Sequence, residues 1–141
     1  ERMQRIEGLA TSVLSSDPWV VLVHDVISAS EMALLAGHEW AWSAASDRGG
    51  LGADGRATFK FSSHRDTDVH WCKAGCAAEP EVTSLVARVS ELLRVHPDYF
   101  ESLQLLRYRP GQYYKTHHDA AGDRHTLLGS RVYTAFLYLS D

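Results

Sequence analysis

The chain has 141 residues, of which 45% are hydrophobic and 10% aromatic, and its formal net charge is -4. This length suits one domain with a hydrophobic core, and the small net charge gives no indication of a nucleic-acid or membrane-surface binder. No apolar run approaches the ~18 residues of a membrane span, and the first residues lack the apolar core of a signal peptide.

The N-terminal third alternates helical and extended patterns. Residues 1–16 place apolar side chains at near-helical spacing, which predicts a short amphipathic helix. The apolar, β-branched run Trp19–His24 predicts a buried strand. Ser28 and Glu31 have the spacing of a capping box, so we expect a helix that begins there and ends near Ala45.

A glycine-rich, polar segment, 47–56, separates this helix from the strand-like residues 57–62. Glycine clusters of this kind predict a loop. A phosphate-binding loop would need a strand before it and a helix after it. The order here is reversed, so that function is rejected.

The two cysteines, Cys72 and Cys76, are too few for a disulfide scaffold. Three interpretations stay open: a local disulfide, a zinc site completed by His64 or His70, and two unrelated thiols. Zinc prefers four ligands, commonly as two close pairs, and a disulfide needs a favourable loop. Two free or merely buried thiols are therefore the default expectation.

The clearest helix begins at Glu79-Pro80, because proline is tolerated in a first turn. Apolar residues between Val82 and Leu93 fall on one face, and His96-Pro97 ends the helix. Turn residues then separate three predicted strands, 102–108, 113–118 and 132–139. Residues 120–130, which include His125, are predicted to be a loop.

A Pro-Gly turn and a His-x-Asp tripeptide follow each other between Tyr108 and Asp119. In an extended chain, His117 and Asp119 point to one side and His118 to the other. One imidazole and one carboxylate supply two of the three ligands in a 2-His-1-carboxylate iron site. On the tripeptide alone, a hydrogen-bonded surface pair remains the alternative.

The sequence around the tripeptide is more specific. It reads LQLLRYRPGQYYKTHHD over 103–119 and RVYTAFLYLSD over 131–141. These runs resemble two strands of the prolyl 4-hydroxylase family, LQ-x-x-RY-x-PGQ-x-Y-x-x-H-x-D and R-x-x-T-x-x-x-YL-[NS]-D. The members of that family are Fe(II)- and 2-oxoglutarate-dependent dioxygenases. Residues 62–68 loosely resemble a further element of that family.

The resemblance implies an α+β fold, a double-stranded β-helix (jelly roll) with supporting N-terminal helices. In the family, a second iron-binding histidine and a basic residue that holds the far carboxylate of 2-oxoglutarate come later in the sequence. We therefore expect 1–141 to be the N-terminal part of a single catalytic domain, with the C-terminal strands beyond Asp141. The loop 47–56 is then a candidate lid near the substrate entrance.

The resemblance also implies the site residues. His117 and Asp119 would be the iron ligands and catalytic residues. Tyr108 and Tyr138 would line the 2-oxoglutarate site, and Tyr114, a further candidate for cofactor binding, would lie near the ligands. The alternative for the tyrosines is that buried phenols only fill space. Arg65 is a candidate for facing the substrate.

The activity implied is the hydroxylation of prolyl residues in a peptide or protein, as in procollagen-proline 4-dioxygenases. Its cofactors would be Fe(II) and the co-substrate 2-oxoglutarate, with ascorbate as a further candidate. The partner would be a proline-containing peptide or protein, with no nucleic acid and no membrane segment. A eukaryotic source would imply the endoplasmic reticulum or secretory pathway. Two alternatives stay open: a non-catalytic peptide-binding relative or truncated fragment, and the same chemistry on a different substrate.

Overall fold

The computed structural model describes residues 9–119 and 131–140, without the side chains of 47–51, 57, 59 and 61. Helices and small antiparallel sheets occur together. The described residues divide into two compact units. The first contains 9–38, 75–101 and 135–140, and the second contains 39–74, 102–119 and 131–134.

The first unit opens with an antiparallel hairpin of β1 (Thr11–Ser16) and β2 (Trp19–Val23). The helix predicted for 1–16 is therefore wrong over Thr11–Ser16, and its first eight residues lie outside the described part. A few apolar residues at near-helical spacing do not reveal a partner strand, whose ladder satisfies the backbone amides and carbonyls of β1.

The strand predicted after residue 18 is confirmed, but it is not buried. Trp19 is 49% exposed, Val20 45% and Leu22 40%. A two-stranded sheet covers neither of its own faces, so apolar composition did not predict burial here.

Helix α1 (Ala29–Gly37) begins with the predicted capping box. The Ser28 hydroxyl accepts a hydrogen bond from the Glu31 amide at 3.3 Å, and the Glu31 carboxylate accepts one from the Ser28 amide at 2.7 Å. The helix ends at Gly37, well before Ala45, because His38 takes an extended conformation.

Two further helices complete this unit. Helix α2 spans Gly75–Ala78, and α3 spans Pro80–Leu93 with the proline in its first turn, as predicted. Helix α3 ends one turn before the predicted stop, at Arg94 in a left-handed conformation. A short 3-10 helix, Pro97–Tyr99, follows. Buried Leu85 and Val82 face the interior from α3.

An ion pair between buried Glu31 and half-buried Arg88 joins α1 to α3. Arg88 donates to both carboxylate oxygens of Glu31, at 2.9 and 3.0 Å, and to the carbonyl oxygen of Val26 at 2.7 Å. The hydrogen bonds from Arg88 lower the pKa of Glu31 from 4.5 to about 2, although burial acts in the opposite direction.

The second unit contains three small antiparallel sheets: β3–β7–β8, β4–β5 and β6–β9. Their strands are β3 (Ser43–Ala44), β4 (Ser46–Leu51), β5 (Ala57–Phe61), β6 (Arg65–Asp66), β7 (Asp68–Trp71), β8 (Gln104–Arg107) and β9 (Tyr113–Tyr114). The described residues form no closed barrel, so the α+β class is confirmed and the jelly roll stays a prediction.

The predicted loop 47–56 is largely a hairpin. Its first part belongs to β4, which pairs with β5, and only 52–56 connect the two strands. The Gly52 amide donates to the Arg56 carbonyl at 2.7 Å, and Gly55 has a φ of 73° that favours glycine. The strand expected at 57–62 is confirmed as β5.

The strand predictions near the C-terminus are met in part. The strand at 102–108 is confirmed as β8, whereas that at 113–118 shrinks to Tyr113–Tyr114. Residues 131–140 form no strand in the described structure, and Val132 and Tyr138 are 81% and 74% exposed. A strand needs a hydrogen-bonded neighbour, and no described segment pairs with this one. The loop 120–130 lies outside the described residues.

Cys72 and Cys76 are both disulfide-bonded, and both are buried. The default expectation of free thiols was therefore wrong. A disulfide also excludes the zinc alternative, because zinc binds thiolates. Among the described residues, no helix is long and apolar enough to cross a membrane.

Candidate metal centre

A tight turn precedes the His-x-Asp tripeptide. The amide of Gln112 donates to the carbonyl of Arg109 at 2.9 Å, and Gly111 has a φ of 90°. Proline before a glycine with positive φ is the pattern of a type II turn. The Gln112 side chain fixes this turn, because its oxygen accepts from the Arg109 amide at 2.7 Å and its nitrogen donates to Asp66 at 3.1 Å.

The segment that follows is held along β6. Strand β9 pairs with β6, with Tyr114 opposite Arg65. The Lys115 amide then donates to the carbonyl of His64 at 2.9 Å, and its ammonium donates to the carbonyl of Ser63 at 2.9 Å. These bonds fix the backbone up to two residues before the first candidate ligand.

His117 and Asp119 meet, as predicted, although the chain between them is not a strand. The Nε2 atom of His117 lies 3.1 Å from Oδ1 of Asp119. The other ring nitrogen, Nδ1, is 2.9 Å from the carbonyl oxygen of Lys115. A carbonyl can only accept, so Nδ1 carries the proton and Nε2 is the atom directed at the carboxylate.

The arrangement of these atoms fits a metal ion. Imidazole nitrogen and carboxylate oxygen atoms bind a divalent transition metal at about 2.1 Å, so two of them at a right angle lie about 3.0 Å apart. The observed 3.1 Å between Nε2 and Oδ1 meets this requirement. Metal-binding histidines also donate their second N–H to a carbonyl or carboxylate, as His117 does.

The pair is also chemically incomplete without a cation. A neutral imidazole whose proton is on Nδ1 presents a lone pair to a carboxylate, which repels it. A proton on Nε2 or a metal ion between Nε2 and Oδ1 removes this repulsion. Both groups are about 40% and 35% exposed, so an ion has access from solvent.

The second oxygen of Asp119 is held by Thr134, whose hydroxyl donates to Oδ2 at 2.6 Å. This hydrogen bond lowers the pKa of Asp119 below its usual value, against the effect of partial burial, and the neighbouring His117 and Arg131 lower it further. Asp119 is therefore ionised at neutral pH, as a metal ligand must be.

Tyr114 stacks on His117. The two ring centroids are 3.7 Å apart and their planes are 12° from parallel. The guanidinium of Arg65 lies 5.5 Å from the centroid of the Tyr114 ring. Tyr114 thus lies beside a candidate ligand, where its motif placed it, and its role in binding the cofactor stays a prediction.

The other two predicted tyrosines are not buried phenols. Tyr108 is 42% exposed just after β8, and Tyr138 is 74% exposed with its ring edge on Phe136. The space-filling alternative is therefore wrong for both residues. Their role beside 2-oxoglutarate stays a prediction.

An iron site of this kind requires three protein ligands, and the described residues bring together two candidates, His117 and Asp119. No group of three or more His, Cys, Asp or Glu side chains that could hold a metal ion occurs among the described residues. His125 lies outside the described part. The sequence predicted His117 and Asp119 as site residues but gave no role to Thr134. The only sequence signal for Thr134 is its place as the threonine of the second motif, R-x-x-T.

Comparison with known proteins matches this chain to hydroxylases. It is 28% identical over 144 residues to prolyl 4-hydroxylase 1 of Arabidopsis thaliana, covering 97% of this chain and 48% of that protein. It is 30% identical over 142 residues to prolyl 4-hydroxylase subunit alpha-3 of Bos taurus and 28% identical to the Homo sapiens subunit, covering 96% of this chain and 25% of each subunit.

The chain is thus similar to prolyl 4-hydroxylases along nearly its whole length, in agreement with the resemblance of its two motifs. It spans about half the length of the plant relative and a quarter of the animal subunits. No family model matches the chain, and no solved structure does.

Proposed function

We propose that the chain is the N-terminal part of the catalytic domain of an Fe(II)- and 2-oxoglutarate-dependent dioxygenase that hydroxylates prolyl residues in a peptide or protein. The observation that carries this proposal is the pairing of His117 Nε2 with Asp119 Oδ1 at 3.1 Å, with Nδ1 committed to the Lys115 carbonyl. This arrangement has the ligand types and spacing of two sites in the facial triad.

In this proposal, His117 and Asp119 hold Fe(II) and leave its other positions open. The bound iron would supply the activation of dioxygen that accompanies oxidative decarboxylation of 2-oxoglutarate. Tyr114 keeps the His117 ring in its plane, and Tyr108 and Tyr138 are proposed to lie against the co-substrate. The third ligand and the basic residue that anchors 2-oxoglutarate are proposed to lie in the length of the relatives that this chain does not span.

The proposed substrate is a proline-containing peptide, with ascorbate as a candidate reductant. Arg65 is proposed to face that peptide, because its guanidinium lies 5.5 Å from the ring centroid of Tyr114, which stacks on the candidate ligand His117. The disulfide-bonded cysteines support an oxidising compartment. We therefore propose the secretory pathway as the location.

The test is a metal-binding and turnover experiment on the protein with these residues in their native full-length context. Co(II) would replace Fe(II) as a stable probe, and its affinity would be measured by calorimetry. The variants are His117→Ala and Asp119→Ala, with His118→Ala as the matched control because His118 is exposed and next to both ligands. Turnover would be followed as succinate formed from 2-oxoglutarate with a proline-rich peptide.

We expect either ligand variant to weaken Co(II) binding more than about 100-fold, because even the loss of an outer-shell partner costs 10–100-fold. Turnover should fall to background, whereas His118→Ala should retain both properties. Retained binding and turnover in His117→Ala would refute the proposal. Metal binding with 2-oxoglutarate consumption but no hydroxylated proline would indicate a different substrate, and metal binding without any consumption would indicate a non-catalytic relative.

A further inference from the structure

The two oxygens of the Asp119 carboxylate lie in different surroundings. Oδ2 accepts the hydroxyl proton of Thr134 at 2.6 Å, whereas Oδ1 faces His117 Nε2 at 3.1 Å. A donor–acceptor distance of 2.6 Å lies in the range of charge-assisted O–H···O⁻ bonds, which are about twice as strong as neutral ones. Thr134 is the donor, because an ionised carboxylate can only accept.

Without the hydrogen bond from Thr134, little would fix the orientation of this partly exposed carboxylate toward a metal ion. The Asp119 side chain is 35% exposed, and its terminal torsion is broad and two-fold. It could rotate freely, or bind an ion through both oxygens at once and occupy a position that a co-substrate needs. The threonine side chain is β-branched and therefore stiff at its first torsion, so it offers its hydroxyl in a fixed direction.

We propose that Thr134 is a positioning residue of the metal centre: its hydroxyl holds Oδ2 so that Asp119 binds the metal through Oδ1 alone. The inference rests on the proposed metal site. It adds a residue 15 positions along the chain from Asp119, in the second of the two motifs. Thr134 does not touch the reacting atoms, and it acts only through Asp119.

A purely structural role for the same hydrogen bond makes a different prediction. If the bond only ties 131–134 to the ligand segment, its loss should lower the free energy of unfolding without changing metal affinity. If it positions the carboxylate, its loss should change metal affinity and coordination in a protein that remains folded. The two roles are separated by measuring both quantities on the same variants.

Three variants make this measurement sharp. Thr134→Val removes the hydroxyl and keeps the shape of the side chain, while Thr134→Ser keeps the hydroxyl and removes a methyl group. Thr116→Val makes the same chemical change at an exposed threonine of the ligand segment, and serves as the matched control. Each would be made in the native full-length protein, titrated with Co(II) by calorimetry and by visible absorption, and melted in the metal-free state.

Thr134→Val is expected to bind Co(II) 10–100-fold more weakly, the usual effect of losing an outer-shell partner, with a changed visible spectrum. Thr134→Ser and Thr116→Val should stay within about threefold of the parent protein. An unchanged affinity and spectrum in Thr134→Val would overturn the inference. So would an equal loss in Thr134→Ser, because the hydroxyl would then not be the responsible group.

Failure of the proposed function would look different. In that case the parent protein itself would not bind Co(II), which would refute both the proposed metal site and the proposed role of Thr134. If the parent binds Co(II) and Thr134→Val binds it equally well, only the inference about Thr134 falls.

Discussion

Replacing Glu31 by glutamine should make the protein less stable by an amount that depends on pH. The Glu31 side chain is 3% exposed and accepts two hydrogen bonds from Arg88 and one from the Ser28 amide. Its pKa is lowered from 4.5 to about 2. One pH unit between folded and unfolded pKa values corresponds to about 1.4 kcal/mol, so the ionised pair contributes about 3 kcal/mol.

The direction of the pH dependence follows from the sign of the pKa change. A carboxyl group with a lowered pKa in the folded state stabilises that state fully above its unfolded pKa, near 4.5. The contribution is then lost as the pH falls through about 2. Glutamine keeps the shape needed at this position of a capping box but has no charge for Arg88 at any pH.

The assay is urea unfolding followed by circular dichroism at a series of pH values from 7 to 2. Glu31→Gln should unfold with about 3 kcal/mol less free energy than the parent protein at pH 7, and the gap should close as the pH approaches 2. Glu91→Gln is the matched control, since Glu91 is exposed on the same helix that carries Arg88. Its effect should stay within about 0.5 kcal/mol.

Two results would refute this reasoning. A gap between the parent protein and Glu31→Gln that stays constant from pH 7 to 2 would show that shape, and not charge, is responsible. Equal effects of Glu31→Gln and Glu91→Gln would show that the buried pair contributes no more than a surface carboxylate. Arg88→Met offers an independent check, because it leaves Glu31 buried without its cation and should cost about 3–5 kcal/mol.

Two further predictions concern the candidate metal centre. Tyr114→Ala should weaken Co(II) binding about 2- to 10-fold, since it removes a ring stacked on His117, whereas Tyr114→Phe should not; equal losses in calorimetric titrations would contradict a stacking role. Gln112→Ala removes the side-chain bonds to Arg109 and Asp66 and should lower the free energy of urea unfolding by about 1–2 kcal/mol. A change below about 0.3 kcal/mol would mean that the backbone turn is stable without that side chain.

Local signals in the sequence predicted where helices begin better than where they end. The first backbone amides of a helix have no hydrogen-bond acceptor within the helix. The capping box at Ser28 supplies acceptors for such amides, and Pro80 has no amide hydrogen to satisfy, so both signals act within a few residues. The end of α1 at Gly37 depends on the chain leaving in an extended conformation at His38. That choice is made by the surrounding fold and is not encoded in the apolar spacing.

Predictions of secondary structure failed where a partner strand decides the outcome. Residues 11–16 pair with 19–23, and no helical or strand period in so short a run anticipates this. Residues 131–140 have strand composition, yet no described segment pairs with them and Tyr138 is exposed. Alternation of apolar residues indicates a tendency to form a strand, but the strand forms only when its backbone hydrogen-bonds to a neighbouring strand.

At the candidate site, the sequence predicted that His117 and Asp119 lie together, but the extended chain assumed for that prediction is only partly present. His117 and Asp119 were placed together by supposing an extended chain, but β9 ends at Tyr114. The pair meets because the backbone is fixed up to Lys115, whose carbonyl then orients the imidazole. A carbonyl that selects a tautomer leaves no trace in residue types, so this part of the site needed a structure.

The same carbonyl restricts the interpretation of His117 and Asp119 as a surface pair. In an ordinary pair, a neutral histidine donates one N–H to the carboxylate and needs no further cation. Here the Nδ1 proton is directed at Lys115, so a hydrogen bond to Asp119 would require both ring nitrogens to be protonated. A neutral imidazole is compatible with this geometry only when a metal ion lies between Nε2 and Oδ1. Either a second proton on the imidazole or a metal ion between Nε2 and Oδ1 completes the pair, and the proposed metal is the alternative that the Co(II) titrations test.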